Sequence, residues 1–195
     1  MGNNPLNTDL FDKAAQFAIN AHHGTERRGK GSPYVIHVME AAEIVSTITN
    51  DQELLAAAML HDVVEDCGVS VDEIKAEFGE RIAELVAGES DLVVPGLSEE
   101  ESWVMRKQHA IDRLAKQSRD GKIVAIGDKL SNMRAIARDF DEQGDELWKI
   151  FHAPKPELHE WHYRGLAGAL SELEGTAAYK ELCELIDKTF SRAFH

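Results

Sequence analysis

The sequence predicts an all-α protein, and three observations carry that expectation. Apolar residues recur at helical spacing in nearly every segment. No run alternates polar and apolar residues as a half-buried strand does, and the connections are short and rich in helix caps and breakers. The expected architecture is a helical bundle of about eight to ten helices.

The elements follow in order. Thr8 is placed to cap a first helix that runs to the pair His22-His23, and the glycine-rich basic loop GTERRGKGSP comes next. Ser32 and Pro33 are expected to open the second helix, YVIHVMEAAEIVSTI, as cap and first-turn proline. Asp51 can cap the third helix, which contains LLAAAMLHDVVED. Ser70 with Glu73, and Ser98 with Glu101, have capping-box spacing, and Gly79 can end the short helix between them. ERIAELVAGES forms a helix leading into the loop DLVVPGL. After EEESWVMRKQHAIDRLAKQ the segment SRDG reads as a turn, and the helix KIVAIGDKLSNMRAIARDF follows. HAPKPELH is a linker, and two amphipathic helices close the chain. No repeat or low-complexity tract interrupts it.

A length of 195 residues suits one domain, with a core over about 8–138 and C-terminal helices over about 144–192. Hydrophobic residues at 43% and charged residues at 29% are ordinary for a globular protein. The net charge of −14 argues against nucleic acid as a partner, which needs a basic face. It permits a small anion, because a few local cations can reverse the sign inside one cleft. Cys67 and Cys183 form no CxxC, which fits a reducing compartment. The N-terminus lacks a basic stretch followed by an apolar one, and Leu6 stands where myristoylation after Gly2 needs Ser or Thr. The apolar runs are too short to span a bilayer, so the expectation is a cytoplasmic protein with no membrane partner. Oligomeric state is left open.

The segment from Leu54 to Asp66 carries the chemistry. Nine of its thirteen residues are apolar, yet it ends in His61, Asp62, Glu65 and Asp66. Residues four apart share a helix face, so His61 is expected beside Glu65 and Asp62 beside Asp66. Carboxylates that close repel, and burial would neutralise them unless a cation intervenes. Imidazole and carboxylate are natural ligands for a divalent ion. The plain alternative is a solvent-exposed helix end bearing ordinary acids. Two further features favour the ion. His37 lies among Val38, Ala41 and Ile44 on an inward-packing helix, and Asp128 follows KIVAIG on an otherwise buried face, where it needs a partner.

His37, then His61-Asp62, then Asp128 resembles the H…HD…D signature of the HD-domain metal-dependent phosphohydrolases. HHGTERRGKGSPYVIH, AAAMLHDVVEDCGVSVDEIKAEFG and IGDKLSNMR are similar to the hydrolase domain of RelA/SpoT-type enzymes, which remove the 3′-pyrophosphate of the alarmone (p)ppGpp. The likeness runs from the first helix to about Arg138. It implies an HD-domain bundle with His37, His61, Asp62 and Asp128 as manganese ligands, another divalent transition metal being an alternative. Glu65 and Asp66 match the paired acids that position and activate water. Arg27 and Arg28 match a basic pair for base and phosphate, Tyr34 and Asn132 lie near the nucleoside, and Arg134 faces phosphate. Arg106 and Lys107 are further candidate cations for the substrate, against a reading as a solvated face.

Several positions depart from that pattern. Thr25 stands for a usual Gln, Val38 for a Pro, Gly127 for an Ala, and the basic loop is one residue longer, which leaves the roles of Arg27, Arg28 and Lys30 open. The chain has no room for a synthetase domain. EWHYRGL, at Glu160 to Leu166, is similar to the C-terminal helix of stand-alone small alarmone hydrolases. The resemblance thus implies Mn²⁺-dependent hydrolysis of (p)ppGpp, a small-molecule nucleotide, to GDP or GTP and pyrophosphate. Alternatives are an HD phosphohydrolase acting on NADPH or a deoxynucleotide, and a nucleotide binder without turnover. His22, His23, His109, His152, His159 and His162 show no ligand-like arrangement, Cys67 reads as packing, and Glu99 to Glu101 as charge bias at a helix N-terminus.

Overall fold

A computed structural model of the chain describes residues 6–27, 29–88, 96–151, 153 and 155–193. Among them are ten α-helices: α1 Asp9–Ala21, α2 Val35–Ser46, α3 Gln52–Leu60, α4 Val63–Asp66, α5 Val71–Phe78, α6 Glu80–Ala87, α7 Glu99–Lys116, α8 Arg119–Gln143, α9 Pro156–Ala169 and α10 Ala177–Ala193. Short 3₁₀ turns occupy Gly144–Ile150 and Ser171–Leu173. The described residues contain no strand, only an isolated bridge between Glu26 and Pro33. The all-α expectation holds.

The core is built around α3. Leu54, Ala56, Ala57, Ala58, Met59 and Leu60 are all buried, so this helix is apolar on every side. Its alanines let neighbours approach closely, and α1, α2, α6 and α8 all pack on it. The longest helix, α8, runs against α2 and also carries α10, while α7 rests on α9. This packing brings the start of α2 and the middle of α8 to the C-terminal end of α3.

Local chemistry sets most of the boundaries. Asp51 caps α3 by accepting a hydrogen bond from the Glu53 amide at 3.0 Å. Ser70–Glu73 and Ser98–Glu101 both form complete capping boxes. Gly79, at φ 94°, ends α5 in a conformation that a β-carbon disfavours. Arg81 on α6 donates to Asp51 and Asp120, at 2.9 and 2.7 Å, and also pairs with Glu53, tying the starts of α3 and α8 together.

Four expectations need correction. Thr8 precedes α1 but spends its hydroxyl on the Asp12 carboxylate, and Asn7 accepts the Asp9 amide instead. Ser32 and Pro33 lie outside α2. The Tyr34 amide donates to the Thr25 carbonyl at 2.9 Å, folding this segment back on the basic loop before the helix starts at Val35. SRDG is a cap and first helical turn, because the Ser118 hydroxyl accepts from the Gly121 amide. Finally, the third helix is not continuous: α3 stops at Leu60, His61 and Asp62 form a turn, and α4 begins at Val63. Asp62, with φ −100° and ψ −4°, departs from regular helix there. The loop DLVVPGL lies largely outside the described residues, as do Arg28, His152 and the side chains of Glu99 and Glu100. No described helix is long and apolar enough to cross a membrane.

Candidate active site

Three helices deliver four side chains to one point. His37 comes from the first turn of α2, with Val38, Ala41 and Ala42 anchoring that helix in the core. His61 and Asp62 come from the break after α3, and Asp128 from the middle of α8. His37 and His61 are each 2% exposed and Asp128 is 8% exposed, so water hardly reaches them. One ligand atom from each of His37, His61 and Asp128 lies within 4.8 Å of the other two. Asp128 Oδ1 is 3.1 Å from His37 Nε2 and 3.6 Å from His61 Nε2. Asp62 Oδ2 is 2.9 Å from His61 Nε2 and 3.4 Å from His37 Nε2.

Hydrogen bonds on the far sides of the rings set their orientation. His61 Nδ1 lies 2.8 Å from the Ala58 carbonyl, which can only accept, so Nδ1 carries a hydrogen. Its Nε2 is sealed from solvent and has no hydrogen-bond partner among the described residues, despite the nearby Asp62 oxygen. A buried nitrogen badly aimed for a hydrogen bond but converging with two carboxylates fits a shared cation. Two imidazoles and two carboxylates are a donor set suited to a divalent transition metal.

The electrostatics agree with that fit. Burial alone would raise the Asp62 carboxyl, but the His61 imidazole and then the adjacent His37 ring outweigh it and hold it well below its ordinary value. Asp128 is depressed in the same way against its own burial, by Lys129 and then by the two histidines. His61 is lifted well above the usual imidazole range, because Asp62 and then Asp128 outweigh its desolvation. The site attracts positive charge, as a proton or as a metal ion.

The centre opens into a cavity of about 540 Å³. Glu65 and Asp66 line it one turn beyond His61 and Asp62. Burial, and then the neighbouring Asp62, raise the Asp66 carboxyl above its ordinary value, making it a better proton acceptor than an exposed aspartate. Six cations also line the cavity: Arg27, Lys30, Arg106, Lys107, Arg113 and Lys129. Four carboxylates, Glu65, Asp66, Asp128 and Asp139, share that lining, so cations outnumber acids there in a chain of net charge −14.

The structure places the other candidates as follows. Tyr34 lines the cavity and donates its hydroxyl to Asp62 Oδ2 at 2.7 Å, with burial and that carboxylate suppressing its own ionisation. Asn132 lines the cavity, donates to Asp128 and accepts from Arg27 at 2.8 Å. Arg27 is thereby linked to a prospective metal ligand. Arg106 and Lys107 line the far wall on α7. Arg28 lies outside the described residues. Arg134, expected to face phosphate, does not line the cavity: its guanidinium pairs with Glu181 at 2.7 and 2.8 Å and with Glu40 at 3.3 Å.

Several lining residues escaped the sequence reading. Lys129 pairs with Asp128 Oδ2 at 2.6 Å, and Trp103, His162 and Tyr163 complete the wall formed by α7 and α9, while Lys30, whose role the sequence left open, pairs with Asp139. Lys129 had a signal, its position beside Asp128. The aromatic wall had none, because it depends on how two helices distant in sequence pair.

A cation centre made by helices around a basic cavity defines a class, and comparison with known proteins gives it a family. The HD domain profile matches residues 14–154. The mouse (Mus musculus) guanosine-3′,5′-bis(diphosphate) 3′-pyrophosphohydrolase MESH1 is 31% identical over 88% of this chain and 92% of its own. The Aquifex aeolicus guanosine-3′,5′-bis(diphosphate) 3′-pyrophosphohydrolase is 28% identical over 83% of this chain, which spans 25% of that longer protein. Among solved structures, a metazoan ortholog of SpoT that hydrolyzes ppGpp superposes with a TM-score of 0.73 at 25% identity, over 94% of this chain and 97% of that one. Listeria monocytogenes lmo0812 gives 0.68 at 26% identity, over 83% and 98%. The chain belongs to the HD domain family.

Proposed function

We propose that this protein is a cytoplasmic (p)ppGpp 3′-pyrophosphohydrolase that works with Mn²⁺ held by His37, His61, Asp62 and Asp128. One observation carries the reading: His37, His61 and Asp128 converge, buried, beside a cavity that Asp128 lines and whose walls hold six cations. MESH1, similar over nearly its whole length, is named for this reaction.

When bound, a divalent ion supplies Lewis acidity, lowering the pKa of water and drawing charge from a phosphoryl oxygen. The chain's own residues do the rest. Asp66, with its raised proton affinity, takes a proton from the attacking water, and Glu65 orients that water. The water oxygen bonds to the phosphorus attached to the ribose 3′-oxygen, the bond between them breaks, and the 3′-oxygen leaves with a proton. The products are pyrophosphate and GDP or GTP. Charge that builds on the phosphoryl oxygens is met by Lys129 beside the centre and by Arg106 and Lys107 across the cavity. Asn132 holds Asp128 in place, and Arg27, above the Tyr34 ring, reaches the nucleoside.

The test is a substrate panel. Protein with Mn²⁺ is incubated with ppGpp, pppGpp, NADPH and deoxynucleotides. Pyrophosphate release from ppGpp or pppGpp is expected to exceed every other turnover by a wide margin. Faster release of phosphate from NADPH would reassign the substrate.

A further inference from the structure

The back of His37 holds a chain of hydrogen bonds that the sequence pattern did not suggest. Ser131, three residues past Asp128, is fully buried, and its hydroxyl donates to Glu40 Oε2 at 2.7 Å. A hydroxyl has one hydrogen, so with that hydrogen on Glu40 the Ser131 oxygen accepts from His37 Nδ1, 2.8 Å away. A neutral imidazole protonated at Nδ1 has a bare Nε2, and His37 Nε2 is the atom that faces Asp128 and Asp62. The other Glu40 oxygen receives Arg134, which Glu181 of α10 grips in turn.

We infer that Ser131 and Glu40 are positioning residues that hold His37 in the tautomer whose Nε2 is free to bind the metal ion, with Arg134 and Glu181 anchoring the relay. Arg134 thus acts behind the centre, not on the substrate. His61 gets the same tautomer from a backbone carbonyl, whereas His37 needs side chains, because its partner lies on another helix. Outer hydrogen bonds of this kind fix ring orientation and raise ligand basicity. The inference rests on the metal reading of the site, and the experiment separates the two.

In metal-free protein labelled with ¹⁵N-histidine, long-range ¹H–¹⁵N correlation at alkaline pH reads the His37 tautomer, and calorimetry with Mn²⁺ reads affinity. The wild type is expected to show the Nδ1–H form. Ser131→Ala and Glu40→Ala are expected to lose that preference and to bind Mn²⁺ about 10–100-fold more weakly. Ser131→Thr, which keeps the hydroxyl, should restore both. Glu40 has a side chain 25% exposed, so its variant carries the test if Ser131→Ala fails to fold. An Nε2–H ring in the wild type, or variants with unchanged tautomer and affinity, overturns the relay. A wild type that shows the Nδ1–H ring and binds no Mn²⁺ supports the tautomer step and removes the metal reading.

Discussion

A β-carbon at Gly127 would lie 2.6 Å from the Ala41 carbonyl oxygen and 2.9 Å from a Val45 methyl. The missing side chain therefore lets α8 close on α2 beside the point where Asp128 meets His37. Gly127→Ala must push the two helices apart or strain them. It is expected to cost about 1–3 kcal/mol in urea unfolding and to weaken Mn²⁺ binding. A variant with unaltered stability and affinity would mean that the crossing has slack.

The pH dependence of the metal-free protein follows from three shifts. Asp62 and Asp128 are depressed on folding, so their contribution is present above the ordinary carboxylate value of 3.8 and is lost as pH falls through their folded values. His61 is raised, so its contribution is full below the ordinary imidazole value of 6.5 and is lost as pH climbs through the folded one. Thermal unfolding followed across pH should show a plateau between these limits and a decline on the alkaline side. Saturating Mn²⁺ should remove the alkaline decline, since the ion replaces the proton. An identical decline with and without metal would contradict this.

In the proposed mechanism Glu65 and Asp66 serve the water, not the ion. Glu65→Gln and Asp66→Asn together should keep metal content and fold while kcat drops at least about 10²-fold, with the larger share from Asp66. Elemental analysis and initial rates check this, and undiminished turnover would end the assignment.

An ion held by these four residues would join α2, α8 and the turn after α3, and would stabilise the folded chain by mass action. Dialysis against a chelator should lower Tm, and returning Mn²⁺ at about 100 times its Kd should recover about 2.7 kcal/mol. A Tm indifferent to chelator would show that the helices hold the site unaided.

The helices were legible because their caps and apolar periods are local. Asp51, Ser70 and Ser98 act where the sequence places them. The break at His61 and Asp62 was not, since HDVVED continues a helical pattern and no Gly or Pro marks the interruption. Of the four prospective ligands, residue type and the resemblance pointed to each one. Arg134 misled because the neighbours that claim it, Glu40 and Glu181, come from helices remote in sequence. The same reason hid the relay through Ser131, whose meaning appears only once α2 and α8 cross.

The most direct measurement is anomalous diffraction at the manganese edge from crystals grown with Mn²⁺. The account predicts one strong peak enclosed by His37, His61, Asp62 and Asp128, facing Glu65 and Asp66 across the cavity. A peak elsewhere, or none at this point despite bound Mn²⁺, would contradict it.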